Sequence, residues 1–247
     1  MRELNAMVAV WRREFIVFRR EVSRVISSIV SPLMWLFLFG GGLSSTVQVG
    51  GESYQSFIFP GIVVMATLFT STFYGVYIIW DRKIDVLKAV LVAPVSRVAI
   101  FFGKVLGGCT DALLQSVVLL VVGLFFVSYS PLGLLAALGI VLLTSIAFTA
   151  LGLAIGAFFE SLEGFQLIGT FVVFPLFFLS GALYPLDNIP SWLRVLSHAD
   201  PVTYAVDALR AVMLGTSAIP LPLDLAVLAG FAATTVLVGS VAFGRMK

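Results

Sequence analysis

Six runs of about 20 apolar residues decide most of what this chain can become. They lie at roughly 25–43, 56–79, 102–127, 132–158, 166–184 and 222–243. About 20 apolar residues are what a helix needs to cross a hydrocarbon core. That core holds no water to satisfy the backbone, so each run must pair its own peptide groups as a helix. The polar–apolar alternation of a membrane barrel strand is absent. Composition agrees: 60% of the 247 residues are hydrophobic and 11% charged, against about 25% charged in soluble domains. The expected fold class is an all-α integral membrane protein, with one transmembrane domain over 1–247. No internal repeat or low-complexity linker divides it.

The basic residues are shared unequally among the segments between these runs. With the N-terminus inside, Arg2, Arg12, Arg13, Arg19, Arg20, Arg24, Arg82, Lys83, Lys88, Arg97, Lys104, Arg245 and Lys247 are cytoplasmic. Of the 15 Lys and Arg, only Arg194 and Arg210 then lie outside. Lys and Arg concentrate in cytoplasmic loops, so a multi-pass protein of the cell (inner) membrane with both termini cytoplasmic is expected. The N-terminal segment lacks the compact apolar core and small-residue cleavage site of a signal peptide. Within 1–24, Leu4, Val8, Trp11, Phe15, Phe18 and Val22 recur at steps of three and four, which is one helix face. Arg12, Arg13, Arg19 and Arg20 stand mostly off that face, where they can meet anionic lipid headgroups. An amphipathic interfacial helix is the expectation; a basic tail that only sets topology is the plainer alternative.

Catalytic chemistry finds little to stand on. The chain contains no GxxxxGK[ST], HExxH, CxxC or GxSxG motif. His198 is the only histidine, which leaves no His-rich metal site. Cys109 is the only cysteine and reads as a small residue of an apolar run. No enzyme activity, resident metal or nucleic-acid partner is expected. Asp111, in GGCTDALLQ, is the sharpest charge at membrane depth. Such acids face a bundle interior or water. A structural role near Lys104 competes there with proton coupling or binding of a cationic substrate. The spacings Gly103/Gly107 and Gly152/Gly156 let helices approach closely. Aromatic residues cluster on the second and fifth runs. Phe69, Phe73, Tyr77, Phe174 and Phe178 are candidates for a translocation path, although Phe is common in any membrane helix.

Between the second and third runs lies DRKIDVLKAVLVAPVSR, residues 81–97, too polar to span and too long for a simple turn. Ile84, Leu87 and Leu91 share one helical stripe and Asp81, Asp85 and Lys88 another, and Pro94 ends the helix. The pattern predicts a short amphipathic helix hung between two membrane helices; a solvated loop with incidental periodicity is the alternative. After the fifth run, Gly181, Pro185 and Pro190 interrupt the apolar sequence, and Trp192, Leu193 and Leu196 form a brief stripe. Irregular backbone at membrane depth is tolerated where protein buries it or it lines a cavity; a surface loop is the alternative. Asp200 before Pro201 is a helix-starting cap. Asp207 and Arg210, three apart, could pair on one helix face.

These stretches carry a resemblance. LKAVLVAPVSRVAIFFGK is similar to the cytoplasmic loop of the ABC type-2 permeases, the membrane subunits of one class of ATP-driven exporters. SPLMWLFLFGGGL (31–43) resembles their first span. LFFLSGALYPLDNIPSWLRVLSHADPVTYAVDALR (176–210) resembles their fifth span and outer loop. The resemblance runs in order along essentially the whole chain. It implies a permease that dimerises, most simply as a homodimer, and binds two copies of a separate cytoplasmic ATPase. ATP and Mg would be held on that subunit, with no cofactor on this chain. It implies that 81–97 is a coupling helix seated on the ATPase through Asp81, Arg82, Lys83, Asp85, Leu87, Lys88, Leu91, Pro94 and Arg97. Glu160 and Glu163 of FESLEG (159–164) would add a second contact. Asp85 stands where members often have Gly, and Lys88 where an acidic residue stands at or next to that position. The resemblance also implies re-entrant outer helices over 185–215 between spans five and six. Their outer gate would include Gly181, Tyr184, Pro185, Pro190, Trp192, Asp200, Pro201, Tyr204, Asp207 and Arg210.

The activity implied is export of a hydrophobic or amphiphilic substrate (drug, lipid or lipid-linked glycan) from the cytoplasm or inner leaflet. The matching stretches look closer to drug-type and lipooligosaccharide-type members than to polymer exporters. Two other classes compete. A membrane scaffold subunit without transport would need no coupling helix. A proton-driven secondary transporter using Asp111 would need more intramembrane ionisable groups and inverted repeats.

Overall fold

The computed structural model describes residues 2–44, 46–49, 51–84, 95–187 and 189–246. Among them, six helices are long and apolar enough to cross a membrane: Val22–Gly41, Tyr54–Lys83, Arg97–Gly123, Pro131–Phe158, Leu162–Leu179 and Leu221–Gly244. The chain is an all-α membrane protein. Helix α1 (Arg2–Arg20) precedes α2 (Val22–Trp35), which runs on through a π-helical turn, Leu36–Gly41. A small antiparallel hairpin, β1 (Gln48–Val49) and β2 (Glu52–Ser53), joins the first two spans. Span two is α3 (Tyr54–Phe73) and α4 (Val76–Lys83), broken at Tyr74 and Gly75. Spans three to five are α5 (Arg97–Gly123), α6 (Pro131–Phe158) and α7 (Leu162–Leu179). The short helices α8 (Ser191–Ala199) and α9 (Pro201–Leu214) precede α10 (Leu221–Gly244).

Side-chain caps set several helix starts. The hydroxyls of Ser53, Ser96, Ser130 and Ser161 accept from the amides of Ser56, Ala99, Gly133 and Gly164 at 3.2, 3.2, 3.0 and 3.0 Å. Asp200 Oδ1 accepts from Val202 N at 2.9 Å. Each cap is worth about 1 kcal/mol. These caps move the boundaries away from those expected from hydropathy. Span three begins at Arg97 rather than 102 because Ser96 caps it. Span five begins at Leu162 and ends at Leu179, so Glu163 stands in its first turn rather than in a loop. Its end is set where Gly181 adopts φ +70°, a conformation suited to Gly. Of the expected helix over 81–97, Asp85, Leu87, Lys88, Leu91 and Pro94 lie outside the described residues.

Two close approaches hold the bundle. Span two meets α6 backbone to backbone at its break. A Cβ on Gly152 would lie 2.8 Å from the Thr72 carbonyl carbon, and one on Gly156 would lie 3.2 Å from that of Gly75. Helix α1 lies along α5 over its small residues. A Cβ on Gly103 would sit 2.7 Å from Val10 Cβ, and one on Gly107 would sit 2.8 Å from Glu14 Cβ. Helix α1 therefore turns Met7, Val10 and Glu14 toward the bundle. Leu4, Val8 and Val22 of the expected stripe remain exposed.

The later short helices are placed differently. At 1.5 Å per residue the 14 residues of α9 reach about 21 Å, short of a roughly 30 Å core. Yet Val202, Ala205, Val206, Ala208 and Leu209 are wholly buried. Helix α9 packs among α3, α6, α7 and α10. By contrast α2 buries fully only Pro32.

Candidate functional site

Four charged side chains and a tyrosine meet in a buried cluster where α1, span two and α5 converge. Lys104 Nζ stands 3.0 Å from Glu14 Oε1 and 2.6 Å from Asp81 Oδ2. Arg13 forks onto Asp81, with Nη2–Oδ1 at 2.5 Å and Nη1–Oδ2 at 3.0 Å. Its Nη1 also reaches Glu14 Oε1 at 3.0 Å, and Tyr74 donates to Glu14 Oε2 at 2.9 Å. The bond to Asp81 holds the Arg13 guanidinium above its ordinary value. Glu14, Asp81 and Lys104 are at most 5% exposed. Two cations balance two carboxylates, the condition under which buried charge is tolerable. Lys104 needs the gap between Gly103 and Gly107, because larger residues there would push α1 away.

The cluster lies at one root of the 85–94 segment, and further bonds fix both roots. Arg82 donates to the carbonyls of Phe159 and Ala157 at 3.0 and 3.2 Å, binding α4 to the end of α6. At the other root, Ser96 N and Oγ donate to Glu3 Oε2 at 3.0 and 2.5 Å. Those bonds hold the Glu3 carboxyl below its ordinary value. Arg97 donates to the carbonyl of Gly244 at 3.0 Å and to that of Met246, at the end of α10. Lys83, Glu160 and Glu163 are exposed. Of the expected contact residues, Asp81 is thus buried in the cluster, while Arg82 and Arg97 hold backbone.

A cleft of about 460 Å3 opens between α2, span two and α7. Phe69, Phe73, Tyr77 and Phe174 line it, together with Trp35, Met65 and Phe177. Phe178 stands outside the lining and stacks on Phe174, ring centroids 6.2 Å apart. Phe69 and Phe174 meet edge to face at 5.2 Å. Polar side chains also line the cleft: Arg24, Asp111, Gln115 and Gln166. Asp111 pairs with Arg24 of α2 rather than with Lys104. Thr70 donates to Gln115 Oε1 at 2.5 Å, and Gln115 donates to the carbonyl of Ser28.

At the far end of the bundle, Arg210 and Asp207 do not bond each other. Each fastens a turn. Arg210 Nη2 donates to the Gly181 carbonyl at 2.7 Å, and its guanidinium lies 4.0 Å from the Phe57 ring centroid. Burial pushes Arg210 down to about 10, so it stays charged at neutral pH. Asp207 accepts from the amides of Ala218 and Ile219 at 3.0 and 2.9 Å. Tyr184 donates to the Phe178 carbonyl and Tyr204 to that of His198, both at 2.7 Å. Pro190 and Pro201 open α8 and α9, Pro185 sits in the non-helical stretch between α7 and α8, and Trp192 is exposed.

Asp200 caps α9 through Oδ1, while its buried Oδ2 has no partner among the described residues. Burial pushes its carboxyl up to about 7, opposed by the Val202 amide. An acid raised above its unfolded value of about 3.9 binds more protons folded than unfolded. Its contribution is therefore best below about pH 4 and worsens as pH rises to about 7. Asp200→Asn keeps the cap and removes the titration. The variant should melt with wild type near pH 4 and several degrees above it at pH 8. Coincident melting at both pH values would show that Asp200 is not a strained carboxylate.

Comparison with known proteins adds an independent finding. A family model described as ABC-2 type transporter matches residues 5–214. Nodulation protein J of Rhizobium leguminosarum bv. trifolii is 31% identical over 212 residues, covering 84% of the chain and 81% of that protein. The inner membrane transport permease YadH of Escherichia coli K12 is 30% identical over 234 residues, covering 92% and 90%. Nodulation protein J of Rhizobium meliloti is 29% identical over 229 residues, covering 91% and 87%.

Proposed function

Because this chain belongs to the ABC-2 type transporter family, we propose that it is the permease of an ATP-driven exporter of amphiphiles. Two copies of it, with both termini cytoplasmic, would bind two copies of a separate ATPase that holds ATP and Mg. This chain then supplies no catalytic group; it converts motion of the partner into motion of its spans. The substrate class is a hydrophobic or amphiphilic drug, lipid or lipid-linked glycan. The cleft supports that class, because aromatic rings and polar groups both line it.

The observation that carries the proposal is the fastening of both roots of the 85–94 segment. A push on that segment reaches α4 through Asp81 and Arg82, and α5 through Ser96 and Arg97. The buried cluster adds α1, so span two, α5 and α1 move as one body. Helix α2, which packs lightly, flanks the cleft and would part from that body once its bonds to Asp111 through Arg24 and to Gln115 through the Ser28 carbonyl open. At the other end Arg210 and Asp207 hold the turns at 181–182 and 218–219 as an outer gate. The exposed Leu4, Val8 and Ile16 of α1 support an interfacial placement, with Arg12, Arg19 and Arg20 toward lipid headgroups.

The test is ATP hydrolysis by the ABC ATPase co-purified with this chain, with and without added amphiphile. The double change Asp85→Ala/Lys88→Ala should leave basal hydrolysis and abolish most of its stimulation. Asp81 is left intact, because its loss would disturb the buried cluster. Failure to form a complex, or stimulation that survives the double change, would sink the coupling reading.

A further inference from the structure

We propose that Arg24 is a tethered occupant of an organic-cation site beside Asp111 in the cleft, and that the cationic head of an amphiphilic substrate displaces it. This rests on the export reading above and names the charge of the substrate. Arg24 Nη2 bonds Asp111 Oδ2, and its Nε lies 3.4 Å from Glu21 Oε2. Its guanidinium carbon stands 4.7 Å from the Tyr77 ring centroid and 5.9 Å from that of Phe18. Tyr77 also donates its hydroxyl to Glu21 Oε2, which fixes the ring under the cation. Two carboxylates and two ring faces around one cation form a cage of the kind that binds organic ammonium groups. Among the described residues Asp111 Oδ1 accepts no hydrogen bond, although the side chain is only 3% exposed and lines the cleft. The site thus has one acceptor to spare, and a negative balance even with Arg24 in place.

The occupant is placed so that it can leave. Arg24 is about one-third exposed. It belongs to α2, which buries fully only Pro32 and is separated from α1 by non-helical backbone at Glu21, φ −88°, ψ 56°. Asp111 and Tyr77, by contrast, stand on the firmly packed α5 and span two. When α2 parts from that body, Arg24 goes with it and the carboxylate–aromatic cage remains. A cationic head that enters the cage leaves its chain along Met65, Phe69, Phe73, Phe174 and Phe177. An anionic head would meet Asp111 and Glu21 and gain only the already paired Arg24.

The test uses this chain alone in lipid nanodiscs, with Trp11, Trp80 and Trp192 changed to Phe so that Trp35 in the cleft is the sole tryptophan. The probes are two dodecyl amphiphiles brominated on the chain, one with a trimethylammonium head and one with a sulfate head. The ammonium probe should quench Trp35 saturably. Arg24→Ala should bind it about tenfold more tightly, and Asp111→Asn about tenfold more weakly. The sulfate probe should bind more weakly than the ammonium probe and should weaken further in Arg24→Ala. If Asp111→Asn does not fold, the gain in Arg24→Ala still decides. Equal curves for both heads in every variant would mean lipid partitioning and overturn the proposal. Tighter binding of the sulfate probe to wild type, lost in Arg24→Ala, would make Arg24 an anion receptor instead. No ATPase is present, so a chain that binds as expected but couples to no ATPase refutes only the export reading.

Discussion

Lys104→Met should destabilise the folded chain by about 3–5 kcal/mol, the usual result of stripping one partner from a buried charge group. The ammonium is 2% exposed and lies within 3.0 Å of both Glu14 and Asp81. Without it, Arg13 alone faces two carboxylates buried at 5% and 4% exposure. Chemical unfolding in mixed micelles would read the loss directly. The double variant Glu14→Gln/Lys104→Met should recover most of it, because it leaves the Arg13–Asp81 fork balanced and intact. Such non-additivity is the mark of side chains that share a network. Independent effects in the two single variants would mean that Lys104 and Glu14 do not interact, and α1 would then be held by packing alone.

Gly152→Val should be nearly as damaging for a different reason. A Cβ there meets the backbone of Thr72 rather than a side chain that could rotate away, with Thr72 Cα 3.0 Å distant. Overpacking typically costs about 1–3 kcal/mol, and a backbone neighbour puts this site at the upper end. Gly139 on the same helix has nothing within 4 Å of its would-be Cβ, so Gly139→Val is the internal control. Thermal midpoints of the two variants in detergent check the contrast. Equal midpoints would show that span two and α6 are not in backbone contact at this break.

The six spans were legible because length and hydropathy are local properties. Their ends were not, since Ser96 and Ser161 set two of them through a single side-chain bond. The buried cluster was hidden for a further reason. Glu14 stands in WRREF, where one acid among arginines reads as ordinary surface charge. Its burial depends on α1 lying over Gly103 and Gly107, some 90 positions away. The one local signal was Lys104 itself, a cation next to Gly103 and three residues before Gly107 in an apolar run. Asp111 was visible as an intramembrane acid, but its partner came from α2 rather than from its own helix. Asp207 and Arg210 looked like a pair by spacing, yet each satisfies a turn that sequence spacing does not reveal. The aromatic wall was legible by residue type, and the structure exchanges Phe178 for Phe177 at the lining.

The break at Tyr74 and Gly75 gives span two the mechanics of a lever. Gly75 lies against Gly152 and Gly156 with no side chain between the helices, and would serve as its fulcrum. On one side α4 has 8 residues, an arm of about 12 Å; on the other α3 has 20, an arm of about 30 Å. With both arms rigid, a displacement delivered at Lys83 would be multiplied roughly 2.5-fold at Tyr54, and the force available there would fall by the same ratio. A stroke of one ångström at Lys83 would become about 2.5 Å at Tyr54, where span two meets the outer hairpin.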